Sequence, residues 1–277
     1  MSKNVIVIVL LLSALVVILL LSHLHLVNLT WRGNSQVEWK VMSLQIGEDI
    51  ILSVYYSEVG FQPKALIVII PGFRETCSMW NTTGLPQELA SKGFATVSFD
   101  LRGHGGSIRR PNGVFVSIEE LSERDYNRMN FDVKAVVEIF KEYFHVNKVY
   151  LIGSDIGASL AVAYAVKDKD VKGLILISPN FESAIPFPVE FLEKYVERGG
   201  KAIFIYSRED SLSINVINNV INTVRNISGI NETVGNIFYY ASNKVGHGIS
   251  LMLNDNKILS KILQFIDLFY VENSRNT

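Results

Sequence analysis

The chain has 277 residues, 48% of them hydrophobic and 19% charged, a balance that suits a globular protein with a sizeable core and excludes a disordered one. Its formal net charge is −1, with acids and bases interleaved, so no basic face is offered to nucleic acid. A single cysteine, Cys77, excludes both an internal disulfide framework and a multi-cysteine metal site.

The first thirty residues differ in kind from the rest. No charged side chain occurs from Val5 to Thr30, and Val5 to Leu21 is Val, Ile and Leu broken only by Ser13 and Ala14. Eighteen helical residues span roughly 27 Å, the thickness of a bilayer's hydrocarbon core. Residues 1–30 are therefore expected to hold an N-terminal transmembrane helix, contacting lipid through residues 5–22. A cleaved signal peptide is the alternative. Its apolar region would be shorter and followed by small residues, and Ser22-His23-Leu24-His25-Leu26-Val27 offers no such site. Lys3 on one side of the span and Arg32 and Lys40 on the other give a lean towards an extracytoplasmic domain. N-x-S/T sequons at Asn28, Asn81, Asn226 and Asn231 are compatible with that orientation.

Residues 31–37 read as a polar linker and 38–277 as one domain. Glu38–Ile46 and Ile50–Tyr56 alternate around Gly47-Glu48-Asp49, a hairpin signature. Short, solidly apolar runs follow at Ala65–Ile70, Phe94–Phe99, Lys148–Ile152, Gly173–Ser178, Lys201–Tyr206 and Asn236–Tyr240. Strands covered by helices on both faces read this way. Leu85–Lys92, Phe131–Phe144, Ala158–Val166, Ile214–Arg225 and Lys257–Phe269 carry helical spacing between them. Within the second of these, Phe131, Ala135, Ile139, Phe140 and Phe144 are expected to form the apolar stripe. Ser117 and Glu120 suggest a capping box on a short extra helix. The alternation predicts an α/β fold: a mostly parallel, doubly wound sheet with an antiparallel N-terminal hairpin.

Ligands of such sheets sit beyond the carboxyl ends of the strands, so the chemistry is sought in the loops found there. Gly153-Ser154-Asp155-Ile156-Gly157 stands between an apolar strand and an Ala-rich helix, the setting of a nucleophile elbow, G-x-Nuc-x-G. Gly153 and Gly157 suit a sharp turn where backbones crowd. Asp155 takes the central place, at a helix N-terminus whose dipole favours negative charge. The plainer reading is an aspartate that merely caps the helix.

Here the sequence resembles the α/β-hydrolase superfamily, with aspartate where most members carry serine. Aspartate at this place resembles the epoxide hydrolases and dehalogenases, whose carboxylate attacks carbon to give an ester that water then hydrolyses. Asp100-Leu101-Arg102-Gly103-His104-Gly105-Gly106-Ser107 is similar to the superfamily's D-x-R-G-H-G-x-S stretch, which implies a buried Asp and Arg in a glycine turn and a structural His104. Gly246-His247-Gly248 resembles the turn that carries the family's histidine. Ser207-Arg208-Glu209-Asp210 puts Asp210, with Glu209 second, where the family has its acid. Pro71-Gly72-Phe73-Arg74 resembles the oxyanion loop, so the backbone amides of Phe73 and Ile156 are the implied oxyanion-hole donors. Arg74 and Glu75 could approach the site, but residues of this kind are more often solvated.

Two departures bear on the reaction. Pro179–Gly200 leaves room for only a loop and one helix, against the large tyrosine-bearing cap of the epoxide hydrolases. Tyr195 lies in it. Ile156 follows the elbow aspartate where dehalogenases often carry a halide-holding tryptophan. The expectation is a membrane-anchored hydrolase of a small, partly apolar substrate acting through Asp155, His247 and Asp210. Water or Ser154 is an alternative attacking group, and a non-catalytic binding protein on the same fold is the competing class. The histidines at 23, 25, 104, 145 and 247 lack ligand spacing and no phosphate loop is present, so neither metal nor cofactor is expected. No oligomeric state follows from the sequence.

Overall fold

A computed structural model describes residues 38–58, 62–227 and 236–275. The expected anchor at residues 5–22 and the linker at 31–37 lie outside the described residues. Among those described, no helix is long and apolar enough to cross a membrane.

β1 (Glu38–Ile46) and β2 (Ile50–Glu58) pair antiparallel in a register closing at Ile46↔Ile50. The turn between them is made by Gly47 at φ 55 and an Asp49 N–H donated to the Ile46 carbonyl at 3.1 Å. β2 runs antiparallel to β4 (Ala95–Phe99), and every later pairing is parallel. With β3 (Leu66–Ile70), β5 (Val149–Ser154), β6 (Val171–Ile177), β7 (Lys201–Ser207) and β8 (Ile237–Ser242), the sheet order is β1-β2-β4-β3-β5-β6-β7-β8. This is the α/β-hydrolase fold, with the expected antiparallel start.

The apolar runs are explained by the two faces they serve. Leu66, Val68 and Ile70 of β3 join one core cluster, and Ile67 and Ile69 the other. β5 divides in the same way, Val149 and Leu151 against Tyr150 and Ile152. Side chains alternate along a strand, so a strand roofed on both sides must be apolar at every position.

Helices α1 (Cys77–Thr82), α2 (Leu85–Ser91), α3 (Glu123–Tyr143), α4 (Ile156–Ala165), α5 (Val189–Glu197), α6 (Ser211–Ile227), α7 (Ile249–Asn254) and α8 (Lys257–Arg275) connect the strands. Helix α3 corrects the expected stripe. Phe131 is 65% exposed and Ile139 38%, while Met129, Asp132, Val133, Val136, Val137 and Phe140 form the buried face. The capping box is also displaced. Ser117 caps only a 3₁₀ turn at Ile118–Glu120, whereas Ser122 and Asp125 exchange the reciprocal bonds that open α3. α1 and α7 have six residues each, too few to show a helical period.

Candidate active site

The loops after β3, β4, β5, β7 and β8 meet at the carboxyl edge of the sheet. At the elbow, Asp155 holds φ 47 and ψ −116, a conformation that costs a non-glycine residue energy. Crowding makes it necessary. A β-carbon at Gly157 would lie 2.1 Å from the Ile70 carbonyl oxygen, and one at Gly153 would lie 2.3 Å from that of Gly157. The Asp155 N–H is tied to Ile177 O at 2.9 Å, which fixes the turn against β6.

The Asp155 side chain makes no capping bond to α4, so it is not the helix cap that the plainer reading required. Its Oδ2 accepts the Phe73 N–H at 3.2 Å. Its Oδ1 is buried without a hydrogen-bond partner and lies 3.6 Å from Nε2 of His247. On the other side of the imidazole, Nδ1 donates to Asp210 Oδ2 at 2.8 Å. Asp210 is held in turn by the hydroxyl and amide of Ser213. Glu209, the second candidate acid, is exposed on the loop.

The electrostatics follow from this row of groups. Burial works against charge on His247, but the carboxylates of Asp155 and Asp210 outweigh it and the imidazole is pushed up to about 10. Burial likewise works against charge on Asp210, and the bonds from His247 and Ser213 overcome it, holding the carboxyl below its usual range. The resting arrangement at neutral pH is an imidazolium between two acids.

Phe73, on the loop after β3, donates its amide to the elbow side chain. Ile156 is buried in the first turn of α4, where the helix leaves its own amides unpaired. Glu75 departs from expectation. It is 7% exposed and accepts four hydrogen bonds, from Gly72 N–H, Trp80 Nε1–H, Ser154 Oγ–H and Ile249 N–H. Ser154 is accordingly committed to Glu75 and fully buried, which removes it as an attacking group.

The glycine turn after β4 builds one wall of the site. Asp100 accepts from the amides of Cys77 (2.7 Å) and Gly106 (2.8 Å). Arg102, with 1% of its side chain exposed, grips Asp132 through two 2.7 Å bonds and reaches Asp49 at 2.9 Å. His104 donates from Nδ1 to the Arg102 carbonyl at 3.0 Å and lies edge-on to the Phe73 ring. Its burial holds the imidazole below its ordinary value, as suits a wall residue. A cleft of about 290 Å³ beside this wall is lined by Arg74, Thr76, His104 and Glu119 among others. Cys77 is buried, and burial with the nearby Asp100 carboxylate pushes its thiol well up, so it is no nucleophile. Tyr195 points its hydroxyl at the Lys201 carbonyl, at the start of β7 and the opposite edge of the sheet. Among the described residues, no group of His, Cys, Asp or Glu is placed to hold a metal ion.

An eight-stranded sheet of this order, with an acid–imidazole–acid row at its carboxyl edge, defines an α/β-hydrolase. The model of the serine aminopeptidase (S33) family of hydrolases matches residues 61–213, and the chain belongs to that family. It is 32% identical over 111 residues to a proline iminopeptidase of Thermoplasma volcanium, a stretch that takes in 40% of this chain and only 33% of that enzyme. An esterase of Pyrococcus furiosus superposes with a TM-score of 0.64 at 14% identity, over 84% of this chain and 92% of its own. A carboxylesterase of the ammonia-oxidizing thaumarchaeon Nitrososphaera gargenis gives 0.62 at 13%, covering 83% of this chain and 100% of its own. At these identities the structures speak for the fold. Within a family described by its serine, this chain has aspartate at the elbow.

Proposed function

We propose that the protein hydrolyses a small, partly apolar substrate through Asp155, His247 and Asp210, using the elbow carboxylate as nucleophile. The observation that carries this reading is the division of labour between the two Asp155 oxygens. Oδ2 rests on the Phe73 amide, while Oδ1 is unpaired and faces His247. Attack by Oδ1 on an alkyl-type carbon would form an ester and expel the leaving atom. Attack on an acyl carbon would instead give an anhydride, a poor route to turnover.

Esterification would remove the charge of Asp155 and with it one of the two holds on the His247 proton. A leaving oxygen or solvent takes that proton. The neutral imidazole then draws a proton from water as the water attacks the ester carbonyl. The amides of Phe73 and Ile156 would face the oxyanion that develops there. Collapse passes the carboxyl proton to the departing alkoxide, and carboxylate and imidazolium are restored. The resting imidazolium is thus the state in which the cycle begins and ends.

The same imidazolium favours a second reading, a binding pocket in which the acid–imidazolium–acid row is a fixed ionic element. Turnover separates the two. The full chain in detergent is to be screened on epoxides, haloalkanes and esters alongside Asp155→Ala, Asp155→Ser and His247→Ala. The nucleophile reading expects turnover by the wild type only, and an ester trapped on Asp155 in His247→Ala, seen by peptide mass spectrometry. Wild-type inertness across the panel, with esterase activity gained by Asp155→Ser, would favour the binding pocket. Tethering through residues 5–22, with the domain extracytoplasmic, completes the proposal and is supported by the uncharged apolar run. Release of the protein from membranes by alkaline carbonate would refute it.

A further inference from the structure

Resting on the Asp155–His247–Asp210 reading, we infer that Glu75 is a positioning residue, whose carboxylate locks the oxyanion loop, the elbow and the histidine loop together and so sets the approach of His247 to Asp155. Its four bonds are divided evenly. Oε2 takes Gly72 N–H at 2.8 Å and Trp80 Nε1–H at 3.0 Å, and Oε1 takes Ser154 Oγ–H at 2.9 Å and Ile249 N–H at 2.7 Å. Two donors per oxygen use the acceptor capacity of a carboxylate in full.

Three of these donors are immediate neighbours of the site. Gly72 precedes Phe73, whose amide holds Asp155. Ser154 precedes Asp155 itself. Ile249 stands two residues after His247. One buried group therefore bonds beside Phe73, Asp155 and His247 while touching none of the reacting atoms. The glycines around it leave the needed room. A β-carbon at Gly248 would lie 2.2 Å from Glu75 Oε1, and one at Gly72 would meet Glu75 Cδ at 3.1 Å.

Glutamine at this place keeps the shape but sets an amide NH₂ against two donors. Whichever way it turns, one side of the staple is lost: the elbow and histidine loop, or the oxyanion loop and Trp80. A buried donor left unpaired has a full desolvation cost, so the loop moves to find water. His247 then leaves Asp155, and its proton is held less tightly.

The test uses the full chain in detergent, with ¹⁵N-labelled histidine and NMR titration of the His247 ring. Glu75→Gln is expected to lower its midpoint by about one unit or more, the effect of losing a close opposite charge. Ile266→Ala, a cavity in the α8 face of the core, serves as the control for a general loss of stability and is expected to leave that midpoint in place. A Glu75→Gln protein that melts earlier but keeps the wild-type His247 midpoint would show a purely structural role and overturn the inference. Should Glu75→Gln fail to fold, Ser154→Ala removes a single donor from Oε1. A smaller shift in the same direction is then expected, and no shift overturns the inference. The titration needs no substrate. Failure of the nucleophile reading would appear separately, as a wild type that forms no ester on Asp155 with any epoxide or haloalkane.

Discussion

Replacing Arg102 with methionine should cost far more than the loss of a surface ion pair. Its guanidinium is held by three carboxylates, but they do not depend on it equally. Asp49 keeps Arg110 and Arg128, both at 2.7 Å, and Asp125 keeps Arg110 and Ser122. Asp132 is fully buried and accepts the 2.7 Å pair of bonds from Arg102. Removing Arg102 leaves that one carboxylate stranded, for a loss of about 3–5 kcal/mol. In a domain of this size the melting temperature should fall by roughly 6–20 °C. Calorimetry and guanidinium unfolding provide the assay, and the double variant Arg102→Met/Asp132→Leu provides the check. An apolar pair removes the stranded charge, so the double variant should recover most of the loss. The single variant's deficit should also shrink in acid, because a stranded Asp132 has its pKa raised and its destabilising charge disappears as the pH falls below that value. A single variant within 1 kcal/mol of wild type, or a double variant no better than the single, would refute the reasoning.

Asp155→Asn should lower the His247 titration midpoint from about 10 by about one to two units, measured by NMR, since one of two flanking carboxylates is gone. An unchanged midpoint would mean that Asp210 alone holds the proton. Because the folded His247 value is raised, the stability it contributes is present below the ordinary imidazole range and is lost as the pH rises through about 10. Denaturation curves of the wild type should show that decline, and those of Asp155→Asn a weaker one. Gly248→Ala should destabilise by about 2–4 kcal/mol, combining a left-handed backbone cost at φ 57 with the displacement of Glu75, as read by urea unfolding. Asp125 has its charge opposed by burial but is held down to about 2 by Ser122 and Arg110. Its contribution is present above the ordinary carboxylate range and fades as the pH falls through about 2. Ser122→Ala should therefore lose about 1 kcal/mol at neutral pH and less in strong acid.

The elbow was legible in the sequence because its constraint is local. Two glycines after a strand mark a turn that admits no β-carbon, and the distances at Gly153 and Gly157 give the reason. His247 and Asp210 were legible from their order and from the strand ends they follow. Glu75 was not, because two of its four donors, Ser154 and Ile249, come from 79 and 174 positions away. The face of α3 was misjudged for a related reason. Asp132 sits in the middle of the buried side, where its charge hides the stripe, and only the distant Arg102 makes that burial tolerable. Phe131 and Ile139, eight residues apart on a neighbouring line, gave the more apolar pattern and lie at the surface.

The backbone of Asp155 carries a consequence for any effort to make the protein hardier. A residue with a side chain is kept at φ 47, in a region where glycine alone is at ease. Asp155→Gly should relieve about 1–3 kcal/mol of that strain while deleting the carboxylate. A selection for heat resistance alone would thus be drawn to a position where success deletes the carboxylate on which the proposed reaction depends. A library screened for both properties should leave the elbow untouched and seek its gains on the outer helices.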